Sequence, residues 1–183
     1  MCDKIGFAMA DSAIAASAGL AKEKGAFEAC DTDKIMSTPY FQANTTEKTK
    51  DMVRRYGLRN SQLLTIAPTG TLSTMLGISG GIEPVYANYY ERKTESLHGT
   101  DVYYKVYTKI VADYMKQHGL RSDSELPDYF VTAMTLDYRQ RIDMQSIWQT
   151  HIDASISSTV NVPNSFTVEE TENLYMYAYE RGL

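Results

Sequence analysis

The chain has 183 residues with 43% hydrophobic and 22% charged side chains, and its formal net charge is -5 at pH 7. This composition is ordinary for a globular domain with its own core, and the acidic balance argues against a broad electrostatic grip on DNA or RNA. No apolar run approaches the roughly 20 residues needed to cross a bilayer, and the start of the chain lacks the charged-then-apolar order of a secretory signal. We therefore expect a cytoplasmic protein that binds neither nucleic acid nor a membrane.

Cysteine and histidine are too sparse to predict a metal site. Cys2 and Cys30 are too few and too far apart for a disulfide scaffold or a metal knuckle, which favours a reducing compartment. The three histidines, His98, His118 and His151, have no ligand spacing among themselves. We therefore assign no metal ligand.

The first third of the chain predicts two helices joined by an irregular connection. Residues 3–24 carry apolar side chains at three- and four-residue steps, and Gly25 is a typical helix stop. Residues 25–44 combine a proline with scattered polar side chains, which predicts an irregular segment. A short, charged helix is expected from residue 45 or 46 to residue 56.

The middle of the chain mixes extended and helical patterns. Residues 84–92 alternate as an extended segment does, and we expect their tyrosines to pack against the protein rather than stack on a base. Residues 101–117 place Tyr103, Val106 and other apolar side chains on one helical stripe, so they predict a helix that ends near Gly119. Residues 120–136 are the most loop-like part of the sequence.

The end of the chain predicts two further helices with a strand between them. A long helix is expected over residues 137–157, followed by a strand at 158–162. Thr167 and Glu170 form a capping box for a last helix that reaches about residue 179. Helices that alternate with a few short strands indicate the α/β class.

One turn has the chemistry of an anion site. The apolar run Leu63–Ala67 predicts a buried strand that breaks at Pro68. The small residues that follow leave backbone N–H groups exposed, and the hydroxyls of Thr69, Thr71 and Ser73 add donors. Such a turn can hold a phosphate without any lysine. Taken alone it is weak evidence, because most small-residue turns after strands are plain connections.

Two loops in a fixed order make the turn more specific. The sequence PTGTLS at residues 68–73 is followed by SGGIEPVY at residues 79–86. This combination resembles the substrate-phosphate loop of the catalytic subunit of ribonucleotide reductase, and most of all its adenosylcobalamin-dependent branch. Arg59-Asn60, residues 92–99 and residues 151–163 also resemble segments of that family. The resemblance therefore covers nearly the whole chain.

The resemblance implies a fold and a parent activity. The fold is a helix-rich α/β fragment of a ten-stranded α/β barrel, in which residues 1–183 form the C-terminal portion of an incomplete barrel domain. The activity is reduction of ribonucleoside di- or triphosphates to their 2'-deoxy forms by thiyl-radical chemistry, with the cobalt cofactor adenosylcobalamin, in the supply of deoxyribonucleotides for DNA replication. The residues expected to hold the substrate's phosphates are Pro68, Thr69, Gly70, Thr71, Leu72 and Ser73.

The resemblance assigns no catalytic residue to this chain. The family's radical cysteine and redox cysteine pair lie in barrel segments that precede these residues, and neither Cys2 nor Cys30 has a matching context. We therefore expect the chain alone to lack turnover and to bind no cofactor by itself. Its unpaired strand edges predict a need for the remainder of the catalytic subunit or association with a copy of itself.

Two other hypotheses remain open from the sequence. The chain is alternatively a non-catalytic nucleotide-binding or assembly module of a split protein, or a remnant that folds without a ligand. The sequence also leaves open a diphosphate or triphosphate substrate, cobalamin or a metal-cofactor subunit, and any allosteric site.

Overall fold

The computed structural model describes residues 1–94 and 101–183, which divide into two compact units. Unit 1 comprises Met1–Ala67, Ile142–Ser157 and Asn173–Leu183, and unit 2 comprises Pro68–Arg141 and Ser158–Glu172. Most of the predicted family segment at 92–99, including His98, lies outside the described residues. In the described ranges, no helix combines the length and apolar character that crossing a membrane requires.

Unit 1 begins with four helices, and the two predicted ones are confirmed. They are α1 (Cys2–Lys24), α2 (Thr32–Ser37), α3 (Pro39–Ala43) and α4 (Glu47–Tyr56). The predicted irregular segment at 25–44 is wrong, because it contains α2 and α3. Asp31 and Thr38 each cap a helix by accepting a backbone N–H, and Pro39 suits the first helical position since its missing N–H would have no helical partner.

The core of unit 1 lies between α1 and α4. Its buried side chains are Ile14, Ala18, Phe41, Val53 and Leu58. Ser17, also buried on α1, accepts the N–H groups of Arg59 and Asn60 through its hydroxyl oxygen. These two hydrogen bonds attach residues 59–60, which follow α4, to helix α1. They therefore fix the position of the chain just before the segment at 63–67.

Two extended segments of unit 1 run parallel for a short distance. Ile66 bridges Ile156, and the Ser157 N–H donates to the Ile66 carbonyl at 2.9 Å. The predicted strand at Leu63–Ala67 is thus a single parallel bridge. Asp153 accepts the N–H groups of Leu63 and Leu64 at 2.9 and 2.7 Å, which anchors the start of the segment.

The predicted helix at 137–157 is wrong over its last third. Helix α7 (Tyr138–Gln149) ends where the Gln149 amide donates to the carbonyls of Ile152 and Ala154. Those bonds stabilise a turn, because the Gln149 side chain donates to two carbonyls that lie beyond the helix and have no helical hydrogen-bond partner.

Unit 2 holds a short helix, a two-stranded sheet and a second helix. These are α5 (Gly70–Leu76), β1 (Tyr89–Thr94), β2 (Val102–Tyr107) and α6 (Lys109–His118), followed by a 3-10 turn at Asp123–Glu125. The strands are antiparallel, with Tyr89 opposite Tyr107 and Thr94 opposite Val102. The predicted extended segment at 84–92 becomes a strand only from Tyr89 onward.

The helix predicted at 101–117 is wrong over residues 102–107. That stretch is strand β2, because its valines and tyrosines suit a strand and β1 supplies the hydrogen-bond partners. The helix α6 then begins at Lys109 and ends at Gly119, whose left-handed conformation confirms the predicted stop.

The end of the chain contains one confirmed and one incorrect prediction. In the capping box before α8 (Val168–Glu180), the Thr167 N–H donates to Glu170 and the Glu170 N–H donates to the Thr167 hydroxyl. The predicted strand at 158–162 forms no ladder with any described residue. The mixed helix and strand class is confirmed, but the only sheet in the described chain has two strands.

Candidate functional site

The predicted anion turn forms the start of α5. Thr69 caps that helix in the left-handed conformation, with φ 47° and ψ 30°, and it is the one non-glycine residue with positive φ in the described ranges. The first N–H with a helical acceptor is that of Ser73, which donates to the Thr69 carbonyl at 2.9 Å. The N–H groups of Gly70, Thr71 and Leu72 have no acceptor among the described residues. Three successive donors are therefore free at this turn.

The second loop of the motif packs directly on the first. The Gly81 N–H donates to the Thr69 hydroxyl oxygen at 3.1 Å. A side chain at Gly80 would meet its neighbours too closely, because a β-carbon there would lie 2.9 Å from the Pro68 carbonyl oxygen and 3.1 Å from the Ser73 Oγ. The spacing of the two sequence motifs therefore reflects a contact that needs glycine at position 80.

The three predicted hydroxyl donors have different environments. Ser73 is buried, and its hydroxyl donates to the Gly70 carbonyl at 2.8 Å, so its proton is engaged within the loop. The Thr69 oxygen accepts the Gly81 N–H, which leaves its proton free for another acceptor. Thr71 is exposed. As placed, Thr69 and Thr71 can donate to an anion and Ser73 supports the turn.

The turn borders a cleft of about 660 Å³ in unit 2. Of the six predicted phosphate-binding residues, Pro68, Gly70 and Ser73 line the cleft, whereas Thr69, Thr71 and Leu72 do not. The remaining walls come from the loop at 77–80, the segment at 83–87 and tyrosines of β1, with Thr108, Lys109, Ala133, Thr159 and Asn161. A cleft of this volume falls in the range typical of small-molecule sites.

Two groups of side chains in the cleft were not assigned from the sequence. Lys109 lines it at the start of α6, with its ammonium 2.7 Å from Asp113. Tyr86 and Tyr90 line it as well, and 67% and 61% of these residues are exposed. Tyr89 packs edge-on against Tyr107 as the packing prediction requires, whereas Tyr86 and Tyr90 are largely exposed to the cleft. The lysine had no sequence signal, because it follows the motif by more than twenty positions.

A buried ion pair stands behind one wall of the cleft. Glu83 lines the cleft, and its carboxylate accepts the Thr159 N–H at 2.6 Å and lies 3.5 Å from the Arg141 guanidinium. Arg141 also donates to the Ser158 hydroxyl at 3.1 Å. Burial lowers the pKa of Arg141 below its usual value, and the nearby Glu83 charge opposes that shift. Glu83 belongs to the second sequence motif, at residues 79–86, but the sequence held no signal for its distant partners.

Neither the two cysteines nor the two histidines in the described ranges line the cleft. In the described ranges, no three His, Cys, Asp or Glu side chains are arranged to hold a metal ion. His118 stacks on Tyr114, and the ring nitrogens of His151 face Asn44 and Asp3. Cys2 and Cys30 are free thiols in unit 1.

Comparison with known proteins decides the family. The model of the ribonucleotide reductase barrel domain matches residues 1–183. The chain belongs to this family.

Curated relatives of the chain are ribonucleotide reductases. A vitamin B12-dependent ribonucleoside-diphosphate reductase of Mycobacterium tuberculosis is 28% identical over 92% of the chain and 24% of its own length. One of the same description from Thermoplasma acidophilum is 28% identical over 92% of the chain and 22% of its length. A ribonucleoside-diphosphate reductase subunit alpha of Treponema pallidum is 25% identical over 94% of the chain and 19% of its length. The chain thus spans about a quarter or less of these ribonucleotide reductases.

Proposed function

We propose that the chain is part of a ribonucleotide reductase catalytic subunit and that its turn at residues 68–73 holds the substrate's phosphates. The single observation that carries this proposal is the row of three free N–H groups, on Gly70, Thr71 and Leu72, at a turn whose residues Pro68, Gly70 and Ser73 line the cleft. Family membership supports it, because the matched relatives are ribonucleoside-diphosphate reductases by name. The parent reaction is then reduction of a ribonucleotide to its 2'-deoxy form.

The turn binds phosphate through its backbone. Successive N–H groups at a helix start form a concave set of donors, and the helix dipole favours an anion there by roughly 0.3 to 1 kcal/mol per charge at exposed positions. The hydroxyls of Thr69 and Thr71 add donors, and Ser73 and Pro68 hold the turn in shape. Lys109 brings a positive charge to the same cleft.

The role of this chain is to position the substrate. Holding the phosphates places the ribose at a fixed distance from the turn, and such placement lowers a barrier only when the reacting group is present. The family's radical cysteine belongs to other barrel segments. We therefore expect the chain alone to give no deoxynucleotide with adenosylcobalamin and a dithiol.

Adenosylcobalamin is proposed for the parent enzyme and for no residue of this chain. Relatives named as vitamin B12-dependent support the cofactor, while others are named only as alpha subunits. The described histidines do not suggest a cobalt ligand, since His151 is buried with both ring nitrogens engaged and His118 stacks on a tyrosine. When bound elsewhere in the parent, the cofactor supplies the radical.

The remainder of a ten-stranded barrel is the proposed partner. Large apolar side chains around α5 are uncovered, with exposed fractions of 56% for Leu72, 73% for Met75, 61% for Leu76 and 52% for Ile78. Several large exposed apolar side chains within seven residues of sequence favour a surface that another chain segment covers. The same observation favours the second candidate, an assembly module of a split protein or a homo-oligomer, in which a separate chain covers this surface.

The phosphate proposal is tested by calorimetric titration with CDP and with cytidine, which lacks phosphates. We expect the chain to bind CDP at least tenfold more tightly than cytidine. Gly70→Leu should remove that preference, since its side chain adds apolar bulk beside the free N–H groups at a position where a β-carbon meets no atom within 4 Å. Thr71→Val should lower the affinity for CDP about three- to tenfold, which corresponds to the loss of one hydroxyl hydrogen bond.

The matched control is Met75→Ala. The Met75 side chain lies on the same helix, is 73% exposed and does not line the cleft, so its truncation should leave the CDP preference unchanged. Equal binding of CDP and cytidine by the unmodified chain would contradict a phosphate site at this turn.

A further inference from the structure

Glu83 presents a problem for a cleft that binds phosphates. Its carboxylate lines the same cleft as the turn at 68–73, and a carboxylate near a diphosphate repels it. A residue in this position has to be neutralised or held away from the anion. The structure does both, through groups that lie far from Glu83 in the sequence.

The first of these groups is a buried cation. Arg141 has a side chain that is 5% exposed, and its guanidinium lies 3.5 Å from the Glu83 carboxylate. Arg141 is held in turn by the Ser158 hydroxyl at 3.1 Å, while its Nε has no partner among the described residues. A buried guanidinium keeps its charge, so Glu83 faces a permanent counter-ion.

The second group fixes the direction of the carboxylate. The Thr159 N–H donates to the same Glu83 oxygen at 2.6 Å, across 76 residues of sequence. The backbone of Glu83 closes the turn before it, since its N–H donates to the Gly80 carbonyl at 3.1 Å. One carboxylate therefore joins three segments of unit 2: the turn at 80–83, the start of α7 and the segment at 158–159.

The turn that Glu83 anchors is the one that packs on the phosphate loop. Gly80 lies against the Pro68 carbonyl and the Ser73 hydroxyl, and Gly81 donates to the hydroxyl oxygen of Thr69. Thr69 is in a left-handed conformation that a β-branched residue adopts only when its surroundings enforce it. The Gly81 contact is one of those constraints. A displacement of Glu83 would therefore be transmitted to Thr69 through two residues.

We propose that Glu83 is a positioning residue, which holds the Gly80–Gly81 turn against Thr69 and so keeps the turn at 68–73 in the shape that leaves its three N–H groups free. Arg141 neutralises Glu83, and this charge compensation lets a carboxylate stand in the wall of an anion site. The inference rests on the proposed phosphate site for its effect on binding, but its effect on loop geometry is measurable without any ligand.

The ligand-free measurement is amide hydrogen exchange by NMR on the 183-residue chain. Glu83→Ala should speed exchange of the Gly81 N–H at least tenfold, while the Leu120 N–H, which donates to the Met115 carbonyl at the end of α6, keeps its protection and reports an intact unit 2. Glu83→Gln retains an oxygen for the Thr159 N–H and should restore most of the Gly81 protection. Unchanged Gly81 exchange in Glu83→Ala would overturn the proposal.

The binding measurement uses CDP against cytidine. Arg141→Met leaves the Glu83 charge uncompensated. It should therefore lower the affinity for CDP at least tenfold and change the affinity for cytidine by no more than twofold. The double variant Glu83→Gln with Arg141→Met should regain CDP affinity relative to Arg141→Met alone. A purely structural ion pair predicts the opposite order, with the double variant no better than the single, and that result would overturn the neutralising role of Arg141.

Asp123→Asn is the matched control. Asp123 is also a carboxylate of unit 2 that pairs with a cation, Lys105 at 2.9 Å, and accepts a further hydrogen bond, from Tyr107 at 3.1 Å. It does not line the cleft. Its substitution should alter neither Gly81 exchange nor the CDP preference. If the unmodified chain fails to prefer CDP, the phosphate site is contradicted, while the Gly81 exchange of Glu83→Ala still decides whether Glu83 positions the loop.

Discussion

Units 1 and 2 differ in how completely their buried polar side chains are hydrogen-bonded. In unit 1 the buried side chain of Asn44 donates to the carbonyls of Tyr40 and Thr150 and accepts from His151 Nδ1 at 2.5 Å. Because the Asn44 amide nitrogen donates twice, its oxygen is the acceptor and His151 carries the proton on Nδ1. In unit 2 the buried Arg141 retains an Nε without a partner among the described residues.

The apolar side chains show the same contrast. Every member of the main buried cluster, from Ile14 to Leu58, belongs to unit 1. Unit 2 buries Val111, Met115 and Ala133, but leaves Met75 and other large apolar side chains exposed around its cleft. Unit 1 exposes large apolar side chains as well, among them Met9 and Tyr175, so the two units differ in their buried clusters rather than in their exposed apolar surface. A binding surface has to keep groups unsatisfied until its ligand and neighbours arrive, whereas a core does not.

The largest effect that tests this comparison is expected from Phe41→Ala. Phe41 is 2% exposed in the core of unit 1, and its truncation should lower the free energy of unfolding by about 3 to 5 kcal/mol through lost burial and a cavity. Met75→Ala is the matched change in unit 2, where the side chain is 73% exposed, and it should stay within about 0.5 kcal/mol. Denaturant titration measures both. If both substitutions lowered the free energy of unfolding by similar amounts, Met75 would have to be packed about as well as Phe41.

A smaller effect is expected from adding one methyl group to helix α1. A β-carbon at Gly6 would lie too close to the His151 ring, so Gly6→Ala should cost about 1 to 3 kcal/mol through overpacking. Gly19→Ala, in the same helix, meets no atom within 4 Å and should stabilise the chain by about 0.5 to 1 kcal/mol, the gain from replacing a helical glycine. Thermal unfolding of both variants gives the comparison. Stabilisation by Gly6→Ala would mean that α1 does not pack on His151.

The smallest expected effect is a pH dependence at the edge of the unit 1 core. Burial, with a smaller contribution from the Asp153 charge, raises the pKa of Tyr40 from 10.0 to about 12. A raised folded-state pKa means that the neutral phenol contributes its full stability below pH 10 and loses it as the pH rises through 12. Tyr40→Phe should therefore remove one late-titrating phenol from the absorbance titration and flatten the loss of stability above pH 10. An absorbance difference between the two chains that is complete by pH 10.5 would contradict this environment.

The sequence correctly predicted the helices whose capping residues lie next to them in the chain. Helix α4 begins after the Thr46 side chain, which accepts the Thr49 N–H, and α8 begins after the reciprocal bonds of Thr167 and Glu170. These bonds join residues three apart, so the sequence contains both partners side by side. The anion turn at 68–73 was located for the same reason, since its small residues and the following helix are contiguous.

Two segments whose apolar pattern suits both a helix and an extended structure were wrongly predicted as helix. The tyrosines and valines of 102–107 fall on a helical stripe and also suit a strand, and only the pairing with Tyr89–Thr94 selects the strand. Residues 150–157 continue the apolar stripe of α7, yet Gln149 and Asp153 hold them in a turn and an extended bridge. The strand needs its partner β1, and the extended bridge needs residues 63–66, so in both cases a distant segment contributes and periodicity carries no information about it.

The sequence by itself determined the family, the position of the small-residue turn at 68–73 and the helices whose caps lie within four residues. Only the tertiary structure decided which of the six turn residues line the cleft, and that Glu83 is held by Thr159 and Arg141. The physical reason is the range of the interactions. A cap or a turn is specified by neighbours along the chain, whereas a buried ion pair and a cleft wall exist only after distant segments have packed together.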